Sequence, residues 1–90
     1  MAVMLAEYDD PVVNDPVAYR AYVYGARLDD HLWEGWIEFV PVDGGPFVRT
    51  PRETTQPNLT DAEYWATGLT HVYLEGALAR ALEHAAAGTR

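Results

Sequence analysis

The stretch Val17-Ala18-Tyr19-Arg20-Ala21-Tyr22-Val23-Tyr24-Gly25-Ala26-Arg27 resumes its pattern, after Leu28-Asp29-Asp30-His31-Leu32, in Trp33-Glu34-Gly35-Trp36-Ile37-Glu38-Phe39-Val40. Alternation with a period of two, rich in β-branched and aromatic residues, reads as two strands joined by a turn. One face then carries Val17, Tyr19, Ala21 and Val23 with Trp33, Gly35, Ile37 and Phe39. The other carries Arg20, Tyr22 and Tyr24 with Glu34, Trp36 and Glu38, and is the wetter of the two.

Downstream, Asp43-Gly44-Gly45-Pro46 reads as a tight turn, because glycine reaches positive φ without a Cβ clash. A third strand is expected from Phe47 to about Gln56. Pro51 lacks the N–H that a ladder needs, so this strand belongs at a sheet edge or breaks there. The strands therefore fall at about 17–27, 33–40 and 47–56. Next, Thr60-Asp61-Ala62-Glu63 matches a capping box, with Leu59 and Tyr64 placed as a hydrophobic staple. Ala62, Trp65 and Leu69 share one helical stripe, whereas Leu74, Leu78, Leu82 and Ala85 share another. The change predicts a short helix over 61–67, a kink or break near Gly68, and a longer helix over 71–86; a single bent helix is the alternative. Asn58-Leu59-Thr60 spells a glycosylation acceptor but is read as part of the helix start.

Upstream, residues 7–16 sustain no period and mix Tyr8, Val12 and Val13 with aspartates and prolines; residues 1–16 are read as an N-terminal arm, either ordered across the domain or mobile. Residues 17–87 form a single α+β domain, a three-stranded antiparallel sheet with both helices packed on one face, and 88–90 a frayed tail. The β-β-β-α order is similar to that of small antitoxin modules and of double-stranded-RNA-binding folds, in element order alone.

Ninety residues support one hydrophobic core, whose net stability is on the order of 5 kcal/mol, so burial of a further face in a homodimer is expected. Fourteen acidic residues oppose six arginines, and lysine is absent. A net charge of −8 disfavours direct nucleic-acid binding. The absence of cysteine and serine excludes a disulfide framework and both serine and cysteine hydrolases. No apolar run approaches the roughly 20 residues that span a bilayer, no signal peptide is recognised, and a cytoplasmic location is expected.

Few residues suggest chemistry. His31 sits in an Asp-rich turn and His84 near a helix end. His71 and Glu75 stand four apart, a spacing that suits a surface ion pair, an acid/base pair or a ligand pair. Arg49 and Arg52 flank Pro51, where they can grip an anion or neutralise Glu34 and Glu38. No metal site or cofactor is expected. The strongest surface signal is the cluster of Tyr22, Tyr24 and Trp36 with Arg20, because aromatics with arginine are what interface anchors are made of.

The expected function is a non-enzymatic protein–protein interaction module. Its partner is a second copy or another protein, and its contact is either the aromatic sheet face or an edge strand. Two alternatives are an acidic, antitoxin-like inhibitor that occupies a partner's basic nucleic-acid site, and a small hydrolase that brings His71, Glu75, Arg49 and Arg52 together.

Overall fold

A computed structural model describes residues 1–88, so only Gly88 of the expected frayed tail falls within the described residues. The elements run β1 (Ala2–Asn14), β2 (Val17–Asp29), β3 (Leu32–Pro41), β4 (Val48–Arg49), β5 (Thr54–Gln56), α1 (Leu59–Thr67) and α2 (His71–Gly88). The sheet is antiparallel in the order β1-β2-β3, with β4 and β5 both pairing the far side of β3. The architecture is α+β, as the alternation predicts, but with five strands rather than three.

Two differences account for the strand count. First, residues 2–14 are not an arm lying across the domain but a full edge strand. Their period is hidden because the register against β2 shifts between Met4 and Ala6 and again between Tyr8 and Val12. The first shift adds one residue and resets the in/out alternation, so Leu5 and Ala6 both pack toward the core; the second adds two residues and keeps the phase, so Tyr8 and Val12 face the core alike across an unpaired stretch.

Second, the expected strand over 47–56 is split around Pro51. In the gap, Thr50 Oγ1 accepts the Ile37 N–H at 3.0 Å, while the Thr50 N–H donates to the Ile37 carbonyl at 2.9 Å. The Glu53 N–H then reaches the Gly35 carbonyl at 2.8 Å. Thr50 is fully buried, so this hydroxyl stands in for the ladder acceptor that the broken strand withholds.

The turn after β3 contains Gly44 and Gly45, both at positive φ (90° and 115°), as its composition demands. The start of α1 differs from expectation. Asn58, not Thr60, is the cap: its backbone is extended (φ −157°, ψ 171°) and its Oδ1 accepts the Asp61 N–H at 2.8 Å, leaving Thr60 inside the first turn. The helix ends at Gly68 as the stripe change predicts. Thr70 then caps α2, its hydroxyl accepting the Tyr73 N–H at 3.1 Å.

Both helices pack on the face bearing Val12, Tyr19, Ala21, Val23, Ile37 and Phe39, to which they add Ala66, Leu74, Ala77, Leu78 and Ala81. The alanines bring helix backbone close to the sheet. Glycine serves the same end at one place: Gly25 and Gly35 are cross-strand partners, and a Cβ on Gly35 would lie 2.7 Å from the Trp65 ring. Trp65 packs over this glycine and, like Trp33 at the end of the sheet, is half-buried.

The hydroxyl of Tyr8 ties β1 to the helix junction, donating to the Ala66 carbonyl at 2.5 Å and accepting the Leu69 N–H at 3.0 Å. Among the described residues no helix is long and apolar enough to cross a membrane.

Candidate functional site

The face of the sheet away from the helices is built by the ladder register. One row crosses β1, β2, β3 and β4 as Glu7–Tyr22–Glu38–Arg49. The next rows toward the start of β1 are Met4–Tyr24–Trp36 and Ala2–Ala26–Glu34; on the other side stand Arg20–Val40 and Val13–Ala18. The alternation read from the sequence therefore holds, and Arg20, Tyr22, Tyr24 and Trp36 share one face. Arg49 joins them, its guanidinium 4.6 Å from the centre of the Trp36 ring.

The aromatics do not all meet solvent. Trp36 is only 6 % exposed: Tyr24 stacks beside it (centroids 6.2 Å apart, planes at 19°), Arg49 covers it, and its indole N–H donates to Glu38 at 3.1 Å. Tyr22 and Tyr24 are half-buried, while Met4 and Val13 are more than half exposed. Arg20 is half-buried, and its Nε is enclosed without a hydrogen-bond acceptor in the chain.

Arg52 Nε lies 3.3 Å from Glu34, a half-exposed pair of modest worth. Of the two readings of the arginines flanking Pro51, neutralisation of Glu34 applies to Arg52 and covering of Trp36 to Arg49. Arg20, Arg49 and Arg52 together balance Glu7, Glu34 and Glu38, so the net charge of −8 resides elsewhere on the molecule.

His71 lies on the opposite side of the sheet. Its Nδ1 is 3.7 Å from Asp10 of β1 and its Nε2 is 3.7 Å from Glu75. The pair is thus a three-member exposed contact at the β1 edge, remote from Arg49 and Arg52 at the β3 side. The four residues that a small hydrolase needs together do not converge, because the sheet stands between them. Among the described residues no group of three or more His, Asp or Glu side chains is arranged to hold a metal ion. His31 is exposed in its turn, where its backbone N–H donates to Asp29.

Sequence reading overlooks a charged cluster under α2. The Glu53 side chain, 6 % exposed, accepts from Arg80 (2.6 Å to Nη2, with Nε 3.1 Å away on the other oxygen) and from the Tyr73 hydroxyl at 2.6 Å. Burial works against the Glu53 charge, but the hydrogen bonds from Arg80 and Tyr73 and the guanidinium charge outweigh it and hold the carboxyl below its usual value. Burial, reinforced by the adjacent carboxylate, pushes Tyr73 up to about 12. Every polar atom that matters in this cluster is partnered, which marks it as a clasp between the β4–β5 segment and α2. Its signal in the sequence is weak: Tyr73 and Arg80 lie seven apart on one helical face, but nothing local points to Glu53.

An open groove of about 420 Å³ runs beside this clasp, lined by Pro51, Arg80, Glu83 and His84 among others. Comparison with known proteins gives no matching family model, no matching curated protein and no matching solved structure.

Proposed function

We propose that this chain is a non-enzymatic protein–protein interaction module whose contact surface is the outer face of the sheet. The observation that carries this reading is a charge-balanced, aromatic-rich face on an otherwise acidic protein, left uncovered by both helices and by β1. A surface that is locally neutral lets another protein approach where the rest of the molecule repels acidic partners. The half-exposed Tyr22 and Tyr24, rigid and amphipathic, are suited to anchor it.

The face, rather than an edge strand, is favoured because both edges are blunted. β1 carries two register shifts with Glu7, Asp9, Asp10 and Pro11 along it, and the β4–β5 edge is interrupted at Pro51. Bulges, inward-turned charges and proline are the devices by which sheets avoid edge-to-edge pairing.

The test uses the tagged chain as bait against both an untagged second copy and an extract of the native host, alongside Tyr22→Ser/Tyr24→Ser and a control, Tyr64→Ser, on the exposed surface of α1. A partner retained by the wild type and by Tyr64→Ser but lost by the double variant supports the reading. Equal retention by all three baits overturns it.

A further inference from the structure

The row Glu7–Tyr22–Glu38–Arg49 has a negative end and a positive end. From this we infer that the partner of the outer face is a second copy of the chain, packed face to face about a two-fold axis that runs along the strands between β2 and β3. The inference rests on the interaction reading above and adds the partner and its geometry.

A two-fold axis in that position sets each strand against the mirror position of the sheet order, β1 over the partner's β4 and β2 over the partner's β3. Row by row, Glu7 then faces the partner's Arg49, and Arg49 the partner's Glu7. Tyr22 faces the partner's Glu38, within reach of a hydroxyl-to-carboxylate hydrogen bond. Tyr24 faces the partner's Trp36 across the Arg49 guanidinium that covers that ring, so the two stacked pairs stand opposite each other. Arg20 stands one row from the partner's Glu38.

The two ends of the row thereby meet their charge complements, Glu7 with the partner's Arg49 and Arg49 with the partner's Glu7, while Glu38 meets the Tyr22 hydroxyl. No other simple superposition does so: an axis across the strands sets Glu7 on the partner's Glu7 and Arg49 on the partner's Arg49.

The area suffices. From Ala18 to Ala26 the face is roughly 27 Å long, and four strands make it roughly 19 Å wide, so each copy offers about 500 Å² in projection. Two copies bury about 1,000 Å² or more once side-chain relief is counted, which reaches the threshold for a specific interface. Sheets packed face to face stand about 10 Å apart with strands nearly aligned, a spacing that a glutamate and an arginine bridge between them.

Two experiments test the arrangement. In the first, sedimentation equilibrium is run on wild type, Glu7→Arg, Arg49→Glu and the double variant, with circular dichroism melts as folding controls. Each single reversal is expected to weaken self-association by at least about 10-fold, since it creates two like-charge contacts, and the double variant to restore it. Glu7 is exposed, so Glu7→Arg carries this test alone if Arg49→Glu disturbs the Trp36 cover.

In the second, the natural absence of cysteine is used. Glu7→Cys and Arg49→Cys chains are mixed and treated with a thiol crosslinker of roughly 10 Å reach, the spacing of packed sheets. Covalent dimers are expected in the mixture and not with either variant alone. In a dimer of either variant alone the two cysteines are offset by three strand spacings, roughly 14 Å, in addition to the gap between the sheets, beyond that reach.

A dimer that is lost in Tyr22→Ser/Tyr24→Ser but shows no charge rescue, or that crosslinks within a single variant, overturns the arrangement and leaves the interaction reading standing. A chain that remains monomeric at every concentration overturns the arrangement as well. The interaction reading is then decided by the bait experiment with the host extract.

Discussion

Thr50→Val removes one hydroxyl from a side chain of unchanged shape, and its cost follows from a single hydrogen bond. Thr50 Oγ1 is the acceptor for the Ile37 N–H at 3.0 Å, in the fully buried gap between β4 and β5. Valine fills the same volume, so no cavity opens, and the Thr50 N–H still reaches the Ile37 carbonyl. What changes is that a buried backbone donor loses its acceptor in a place water cannot enter. That penalty is about 1–3 kcal/mol, against a total stability of about 5–10 kcal/mol for a chain this size. With a urea dependence of about 1 kcal/mol per molar, the unfolding midpoint should fall by roughly 1–3 M. Thr50→Ser is the matched comparison: it keeps the hydroxyl and loses one buried methyl, worth about 0.8 kcal/mol. The assay is urea denaturation followed by tryptophan fluorescence, with amide exchange at Ile37 as a local readout. The reasoning is refuted if Thr50→Val is as stable as the wild type, or no less stable than Thr50→Ser.

Gly35→Ala sets a Cβ 2.7 Å from the Trp65 ring and 3.0 Å from Thr54 Cγ2, and should cost about 1–3 kcal/mol in the same assay. Gly25→Ala, whose nearest neighbour is the mobile end of Leu5, should cost less; the reverse order would show that Trp65 is not the constraint. Tyr8→Phe strands the Leu69 N–H and the Ala66 carbonyl and should destabilise by about 1–2 kcal/mol, with the largest loss of amide-exchange protection at Leu69. The Glu53 clasp gives stability a pH dependence on both sides. Because the folded carboxyl lies below its ordinary value of 4.5, its contribution is complete above that pH and is lost as pH falls through the lowered folded value; Glu53→Gln should flatten this acid limb in urea midpoints. Because Tyr73 rises from 10.0 to about 12, its contribution is complete below pH 10 and is lost between pH 10 and about pH 12, a fall that Tyr73→Phe should abolish.

The central hairpin was legible because both strands obey one rule: from Tyr19 to Gly25 and again from Gly35 to Phe39 every second residue turns inward, so a period of two names both faces at once. The break at Gly68 was legible for a similar reason: an abrupt rotation of the apolar stripe means a break or a bent helix, and the structure has the break. β1 was hidden by its bulges, which destroy the period while keeping the pairing. No local propensity reveals a strand whose register resets at Leu5 and again at residues 9–11.

The cap of α1 was misplaced by two residues because Asn58 and Thr60 are both good caps. The choice between them depends on where Pro57 and β5 release the chain. Of the site, the sequence showed which residues share the outer face but not their exposure. That Trp36 is shielded by Arg49 depends on β4 pairing with β3 at Glu38, a long-range fact. The Glu53 cluster was invisible for the same reason, since Glu53 meets Tyr73 and Arg80 only after the strand breaks at Pro51 and α2 crosses behind it.

The distribution of charge fixes how self-association should respond to salt. Two copies carrying −8 each, their centres about 25 Å apart, repel by roughly 10 kcal/mol in unscreened water. With a Debye length near 30 Å at 0.01 M salt, roughly half of that survives, and near 10 Å at 0.1 M, about a tenth. The pairs between Glu7 and Arg49 lie at the rim, where each contributes at most about 1 kcal/mol. Repulsion is therefore the larger salt-sensitive quantity, and sedimentation should show the dimer strengthening as salt rises from 0.01 to 0.1 M. An acidic inhibitor seated on a basic partner has the opposite dependence, because salt screens the attraction that holds it. Association that weakens over this range would thus count against a second copy and for a basic partner, since only the sign of the partner's charge distinguishes the two cases.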